Sequence, residues 1–210
     1  MITKKKRTTA IFAVVFLILG VLAAHYLWES WGFYRRVPEE EAALRTQVVE
    51  TAERYLGCQE ADGSFKAIID LYNSQESLPM GYEVQYTDSW CAVFVSAVAM
   101  ECGITDILPT ECSCERQIGL FQDLGCWEED DSAIPLPGDV IYYDWDEKGL
   151  GDCTGWADHV GIVVGTKWPF LKVIEGNRDD AVTYRILPLN DIHIRGFGLP
   201  DYTSHLKNTP

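Results

Sequence analysis

The stretch SWCAVFVSAVAMEC, Ser89 to Cys102, is long enough for three helical turns and leaves almost no polar face. A helix that is apolar all round has to be covered on every side. The rest of the chain must therefore wrap it. With 210 residues, 47% hydrophobic content and ordinary Gly and Pro levels, there is enough sequence for one export or membrane segment plus one domain with a core of its own. An intrinsically disordered chain is excluded on the same grounds.

Flanking segments supply the cover. From Pro38 to Leu56 the sequence predicts a helix: Pro38 suits a first turn, Glu39, Glu40 and Glu41 complement the N-terminal dipole, and Leu44, Val48, Ala52 and Tyr55 form an apolar stripe. Gly57 ends it. Shorter helical pieces are predicted over Phe65 to Tyr72 and Cys114 to Leu124. After Pro137 the texture changes to strands, DVIYYDW, HVGIVVGT, FLKVIEGN, AVTYRILPL and IRGFGLP, separated by Gly, Pro, Asn and Asp. Helices first and strands later indicate an α+β domain with a mainly antiparallel sheet. No internal repeat interrupts this order.

The N-terminus carries Lys4, Lys5, Lys6 and Arg7 and then the apolar run AIFAVVFLILGVLAA. A basic head on a hydrophobic segment is expected to stay in the cytoplasm while the remainder is delivered outside. Val21, Leu22 and Ala23 offer a signal-peptide cleavage site. An uncleaved anchor is the preferred reading, because residues 8–28 approach the ~20 needed to cross a bilayer. Tyr26, Trp28, Trp31, Phe33 and Tyr34 then form an interfacial aromatic belt. The expected organisation is a cytoplasmic head 1–7, a transmembrane anchor 8–28, a juxtamembrane linker 29–37 and an extracytoplasmic domain 38–205, in a single-pass membrane protein. Of 17 Lys and Arg, four stand in the head, leaving 13 against 32 Asp and Glu and a formal charge near −19. Nucleic acid is a poor partner for such a surface.

Cys91 sits where a polar turn meets the apolar run. A lone cysteine there is an ordinary core residue unless a partner stands elsewhere in the chain. Of four histidines, His25 is membrane-proximal and His193 and His205 lie in polar surroundings, whereas His159 opens the strand HVGIVVGT. A three-residue loop, Lys167 to Pro169, would pair Thr166 with Phe170, Gly161 with Glu175 and His159 with Asn177. His159, Glu175 and Asn177 would then converge at one end of the sheet, an inference that a one-residue slip would break. Capped by Asp88 or Ser89, the apolar helix would hold Cys91 in its first turn, where unpaired N–H groups and the dipole favour a thiolate. A histidine beside it accepts a proton, and a carboxylate or amide orients the ring.

The segments YTDSWCAVFVSAVA, ECSCERQIGLF, LPGDVIYYDWD, ADHVGIVVG and VIEGN, in this order, resemble the CHAP family, the cysteine- and histidine-dependent amidohydrolases and peptidases of bacterial peptidoglycan. The resemblance runs from about Ala43 to Tyr202. It implies a papain-like fold, Cys91 as nucleophile, His159 as general base and Glu175 with Asn177 as the orienting pair. It also implies hydrolysis of an amide bond in the wall, by an N-acetylmuramoyl-L-alanine amidase or an endopeptidase, without a cofactor. Trp90 and Trp156 are then candidates to line a groove for a muramyl peptide. GYEVQYTDSW lacks the acidic cluster of calcium-binding relatives, so no metal is expected there. Cys112, Cys114, Cys126 and Cys153 are too unevenly spaced for a zinc site, and Asp144, Asp146 and Asp152 read as a solvated loop. Cys58, Cys102, Cys112, Cys114, Cys126 and Cys153 form an even set that export would allow to pair. The alternatives to an enzyme are an inactive wall-binding module or a structural component of a membrane assembly.

Overall fold

Pro38 caps the first long helix, α1 (Glu39–Arg54), and the three glutamates occupy its first turn. The computed structural model describes residues 19–20, 37–149 and 153–208. Apart from Leu19 and Gly20, which are helical, and Val37, the head, anchor and linker expected over 1–37 lie outside the described residues. Among the described residues no helix is long and apolar enough to cross a membrane.

α1 buries Leu44, Val48 and Ala52, as its periodicity predicts, and also Glu41 and Arg45. The Arg45 guanidinium donates to Glu41 Oε1 at 2.8 Å and to Asp139 Oδ1 at 2.7 Å, and lies 4.3 Å over the Tyr202 ring. A buried cation with two carboxylates and a ring face is compensated, and it fixes α1 against the loop that enters the sheet. The helices α2 (Lys66–Asn73), α3 (Cys91–Cys102) and α4 (Cys114–Asp123) follow, each within two residues of its predicted start. One detail differs. Neither Asp88 nor Ser89 caps α3: Trp90 occupies that position without a side-chain hydrogen bond, because the Asp88 carboxylate closes the preceding turn instead, accepting from Gln85 N–H and Tyr82 O–H.

The strands are β1 (Trp127–Glu128), β2 (Val140–Tyr143), β3 (His159–Lys167), β4 (Phe170–Arg178), β5 (Ala181–Pro188) and β6 (Ile194–Gly198). They make one antiparallel sheet in the order β1-β6-β2-β3-β4-β5. A final helix, α5 (Tyr202–Asn208), returns to α1, with Thr203 Oγ1 donating to Glu41 Oε2. Neither the two-residue β1 nor the seven-residue α5 is long enough to leave a periodic signal. Alternation sorts the strands into two faces. Val140, Tyr142, Val160, Ile162 and Ile174 join the helices in the main core, while Ile141, Tyr143, Val163, Leu171 and Val173 form a second cluster.

The β3–β4 hairpin reaches the expected register by a different route. Its loop is Trp168 and Pro169 alone, so Lys167 pairs with Phe170, one residue off the prediction. A bulge at Val164 then inserts the missing residue, and Ile162 pairs with Ile174. Gly161 accordingly meets Glu175: a Cβ on Gly161 would lie 2.7 Å from Glu175 Cγ.

α3 lies directly on β3 and β4, and Gly176 allows that contact. A Cβ there would come within 2.4 Å of Phe94 Cβ and 3.0 Å of the Trp90 ring. Gly176→Ala should therefore push α3 off the sheet and lower unfolding free energy by about 1–3 kcal/mol, the usual cost of overpacking a filled core. Urea denaturation followed by tryptophan fluorescence measures it, and a change within error of zero would mean that the helix does not rest on this glycine.

Candidate active site

Three elements meet at one end of the sheet. α3 begins at Cys91, β3 begins at His159, and β4 brings Glu175 to the face it shares with Gly161. His159 Nε2 lies 3.2 Å from Glu175 Oε2, the contact the register predicts. Glu175 is 0% exposed, and its other oxygen accepts from Arg185 Nε at 2.7 Å, with Arg178 Nε 3.8 Å from Oε2. A buried carboxylate flanked by two guanidiniums and an imidazole keeps its charge: its pKa is lowered, burial being outweighed by His159 and Arg185.

The imidazole is held on its faces as well. Tyr143 pairs with His159 across β2 and β3, with ring centroids 5.9 Å apart, and stacks on Trp145 at 4.7 Å. Arg185 spans the Trp145 ring at 4.5 Å, so the cation that fixes Glu175 also fixes the aromatic wall. Tyr143, Trp145 and Arg185 were not among the residues expected from sequence. Their signal is present but faint: Tyr143 ends β2, the strand before the one that His159 opens, and Arg185 is one of few cations in an acidic domain, set inside an apolar strand.

Cys91 is 5% exposed, and its sulfur lies 3.8 Å from the sulfur of Cys114, the first residue of α4. The Cys114 thiol, as donor, does most to hold the Cys91 thiol well below its ordinary pKa; burial opposes, and His159 and the Ala92 N–H add to the lowering. The same contact pushes Cys114 well above its ordinary value, helped by burial and by the charges of Asp158 and Glu115. His159 is raised to about 9, because Cys91 and Glu175 outweigh the burial that favours the neutral ring. The direction is that of a thiolate–imidazolium pair at neutral pH.

The remaining expected residues divide. Asn177, in the left-handed region at φ 55°, lines an open cavity of about 300 Å³ together with His159, Trp145, Arg178, Asp179 and Arg185, whereas the residue bonded to the imidazole is Glu175. Trp156 is 73% exposed, on a loop whose Ala157 N–H donates to Glu115 of α4. Trp90 does not line an open groove. It is 0% exposed, packs on Phe65 at 5.6 Å and donates Nε1–H to Glu60, because it precedes a helix that is buried from its first turn. All seven cysteines carry free thiols. Cys112, Cys114, Cys126 and Cys153 do not converge, their contacts being with Glu111, Cys91, the Leu124 carbonyl and Asp144. Among the described residues Asp144, Glu147 and Cys153 bring potential metal-ligand atoms within 4.8 Å of one another; Asp152 lies outside them.

No protein-family model matches the chain, and no curated protein matches it. Among solved structures it is similar to the crystal structure of an NlpC/P60 family protein from Bacillus cereus, with a TM-score of 0.40 and 18% identity over 74% of this chain. The match spans 40% of that protein's length. The reading of the site rests on its own geometry.

That geometry predicts an order of reactivity. The thiols of Cys102, Cys112, Cys126 and Cys153 are raised chiefly by burial, and Cys114 by Cys91, so at pH ~6 Cys91 should be alkylated first. Glu175→Gln removes the charge that favours the imidazolium, so the alkaline step of the Cys91 rate–pH profile, where the ring gives up its proton, should move to lower pH. Iodoacetamide labelling read by peptide mapping measures both, and labelling of Cys91 only after denaturation would make it a core residue.

Proposed function

We propose that the domain is a papain-like cysteine hydrolase of the CHAP type that cuts an amide bond in peptidoglycan. The observation that carries this reading is the convergence of a helix-terminal thiol, an imidazole and a buried carboxylate, in that order, at one end of the sheet.

In this reading Cys91, His159 and Glu175 act as nucleophile, acid–base and orienting group. The Cys91 thiolate attacks the acyl carbon, and the negative charge that forms on the carbonyl oxygen is met by N–H groups at the start of α3, the Cys91 N–H among them. The His159 imidazolium then gives its proton to the departing amine, leaving an acyl thioester and a neutral ring. That ring takes a proton from water, the resulting hydroxide attacks the thioester, and the thiolate and the imidazolium are regenerated. Glu175 stabilises the charged ring without exchanging a proton, since two arginines hold it ionised.

A glycosidic cut is a poorer fit. It requires two carboxylates flanking the bond, one of them able to donate a proton, and Glu175 is inaccessible and locked between cations. Asn177, Arg178 and Trp145 around the open cavity, with the exposed Trp156 nearby in sequence, offer polar and aromatic contacts for a peptide carrying amides and carboxylates. Residues 8–28 belong to the same proposal: as a single-pass anchor with a cytoplasmic N-terminus they would keep the domain within reach of the wall.

Digestion of purified peptidoglycan tests this directly. Free amino groups should rise without new reducing sugar ends, and mass spectrometry of the fragments identifies the bond. Cys91→Ala and His159→Ala should each lose at least about 10³-fold in rate. Reducing ends, or full activity in Cys91→Ala, would contradict the mechanism, and an inert domain that still binds the wall would favour a binding module.

A further inference from the structure

Hydrolysis through Cys91 does not explain why a second thiol is built against it. Cys91 and Cys114 open two different helices, are 5% and 8% exposed, and hold their sulfurs 3.8 Å apart. Cys102, Cys112, Cys126 and Cys153 contact oxygen atoms instead: the Gln47 carbonyl, Glu111, the Leu124 carbonyl and Asp144.

We propose that Cys91 and Cys114 form a redox modification site that takes hydroperoxides, with Cys91 as the attacking thiol and Cys114 as the resolving thiol, and that it closes to an internal disulfide. A disulfide needs sulfurs about 2.05 Å apart, and these two, already in contact, have less than about 2 Å left to close. The first step is attack of the Cys91 thiolate on the terminal peroxide oxygen. The O–O bond breaks, the distal oxygen leaves as alkoxide or hydroxide and takes a proton from His159, and Cys91 becomes a sulfenic acid. The second step is attack by the Cys114 sulfur on the Cys91 sulfur. An S–S bond forms, the S–O bond breaks, and the Cys114 proton leaves with the hydroxyl as water. Peroxide is reduced by two electrons and the two thiols are oxidised by two.

The surroundings assign the two roles. His159 faces Cys91, whereas the charges of Asp158 and Glu115 act on Cys114, with the Tyr142 ring beside both thiols. Cys91 is thus the thiolate, and Cys114 stays a protonated thiol ready to condense with a sulfenic acid. Tyr142 remains an un-ionised donor to Gln117 Oε1 at 2.9 Å, and Glu115 is engaged with the Ala157 N–H. The modification does not depend on the hydrolase reading; its consequence, a reversible loss of the nucleophile, does.

The reduced protein, treated with one equivalent of hydrogen peroxide, tests this by mass. Intact mass should fall by two hydrogens, a non-reducing digest should contain a Cys91–Cys114 cross-linked peptide, and dithiothreitol should restore the starting mass. In Cys114→Ser one equivalent should add one oxygen at Cys91 and further peroxide a second, and dithiothreitol should not reverse the second. The cross-link is read on the unsubstituted protein, so misfolding of the variant leaves the test intact. Oxygen added at Cys91 of the unsubstituted protein without a cross-link, or cross-links at other cysteines formed as fast, would overturn the proposal. If the cross-link forms in a protein with no wall-cutting activity, the redox site stands and the hydrolase reading falls.

Discussion

α3 is covered around its whole circumference: every residue from Ala92 to Ala99 is at most 1% exposed. Such a helix has no solvated face to adjust, so its axis is fixed by what it touches, above all by Phe94 and Trp90 against the bare backbone at Gly176. The first turn inherits that rigidity. Cys91 is held at the sheet end because the eight residues after it, Ala92 to Ala99, have no alternative packing, and the polarity of the helix terminus is aimed where the imidazole stands.

The second constraint is electrostatic. A carboxylate with no exposure is costly unless its oxygens are matched, and Glu175 is matched by Arg185, Arg178 and His159. Arg185 is in turn stacked on Trp145, and Trp145 on Tyr143, which pairs with His159 across the strands. Ring, carboxylate and cation thus form a closed circuit in which each group restricts the next. Such a circuit raises the cost of neutralising His159 and so favours the thiolate on the other side of the ring.

Much of this was legible in the sequence because it depends on period and order. Apolar periodicity placed α1, an unbroken apolar run placed α3, and alternation placed the strands that carry His159 and Glu175. The register was right at the site although the loop was not, since a turn one residue shorter and a bulge at Val164 cancel. Other features depend on tertiary placement. Trp90 reads as a site residue by adjacency to Cys91, but the position before an all-round buried helix is itself interior. Asp88 reads as a cap, yet its carboxylate is taken by the turn around Tyr82 and Gln85. Cys114 stands 23 residues from Cys91, and nothing local says that α4 starts where α3 does.

The central claim is that His159 is an imidazolium because a thiolate and a carboxylate flank it. Nitrogen-detected NMR of the ¹⁵N-labelled ring reads this without substrate. The account predicts a doubly protonated ring through neutral pH that loses its proton near about 9, and an apparent pKa that falls in Cys91→Ala. A ring that titrates near 6.5, the same with and without the Cys91 sulfur, would contradict it.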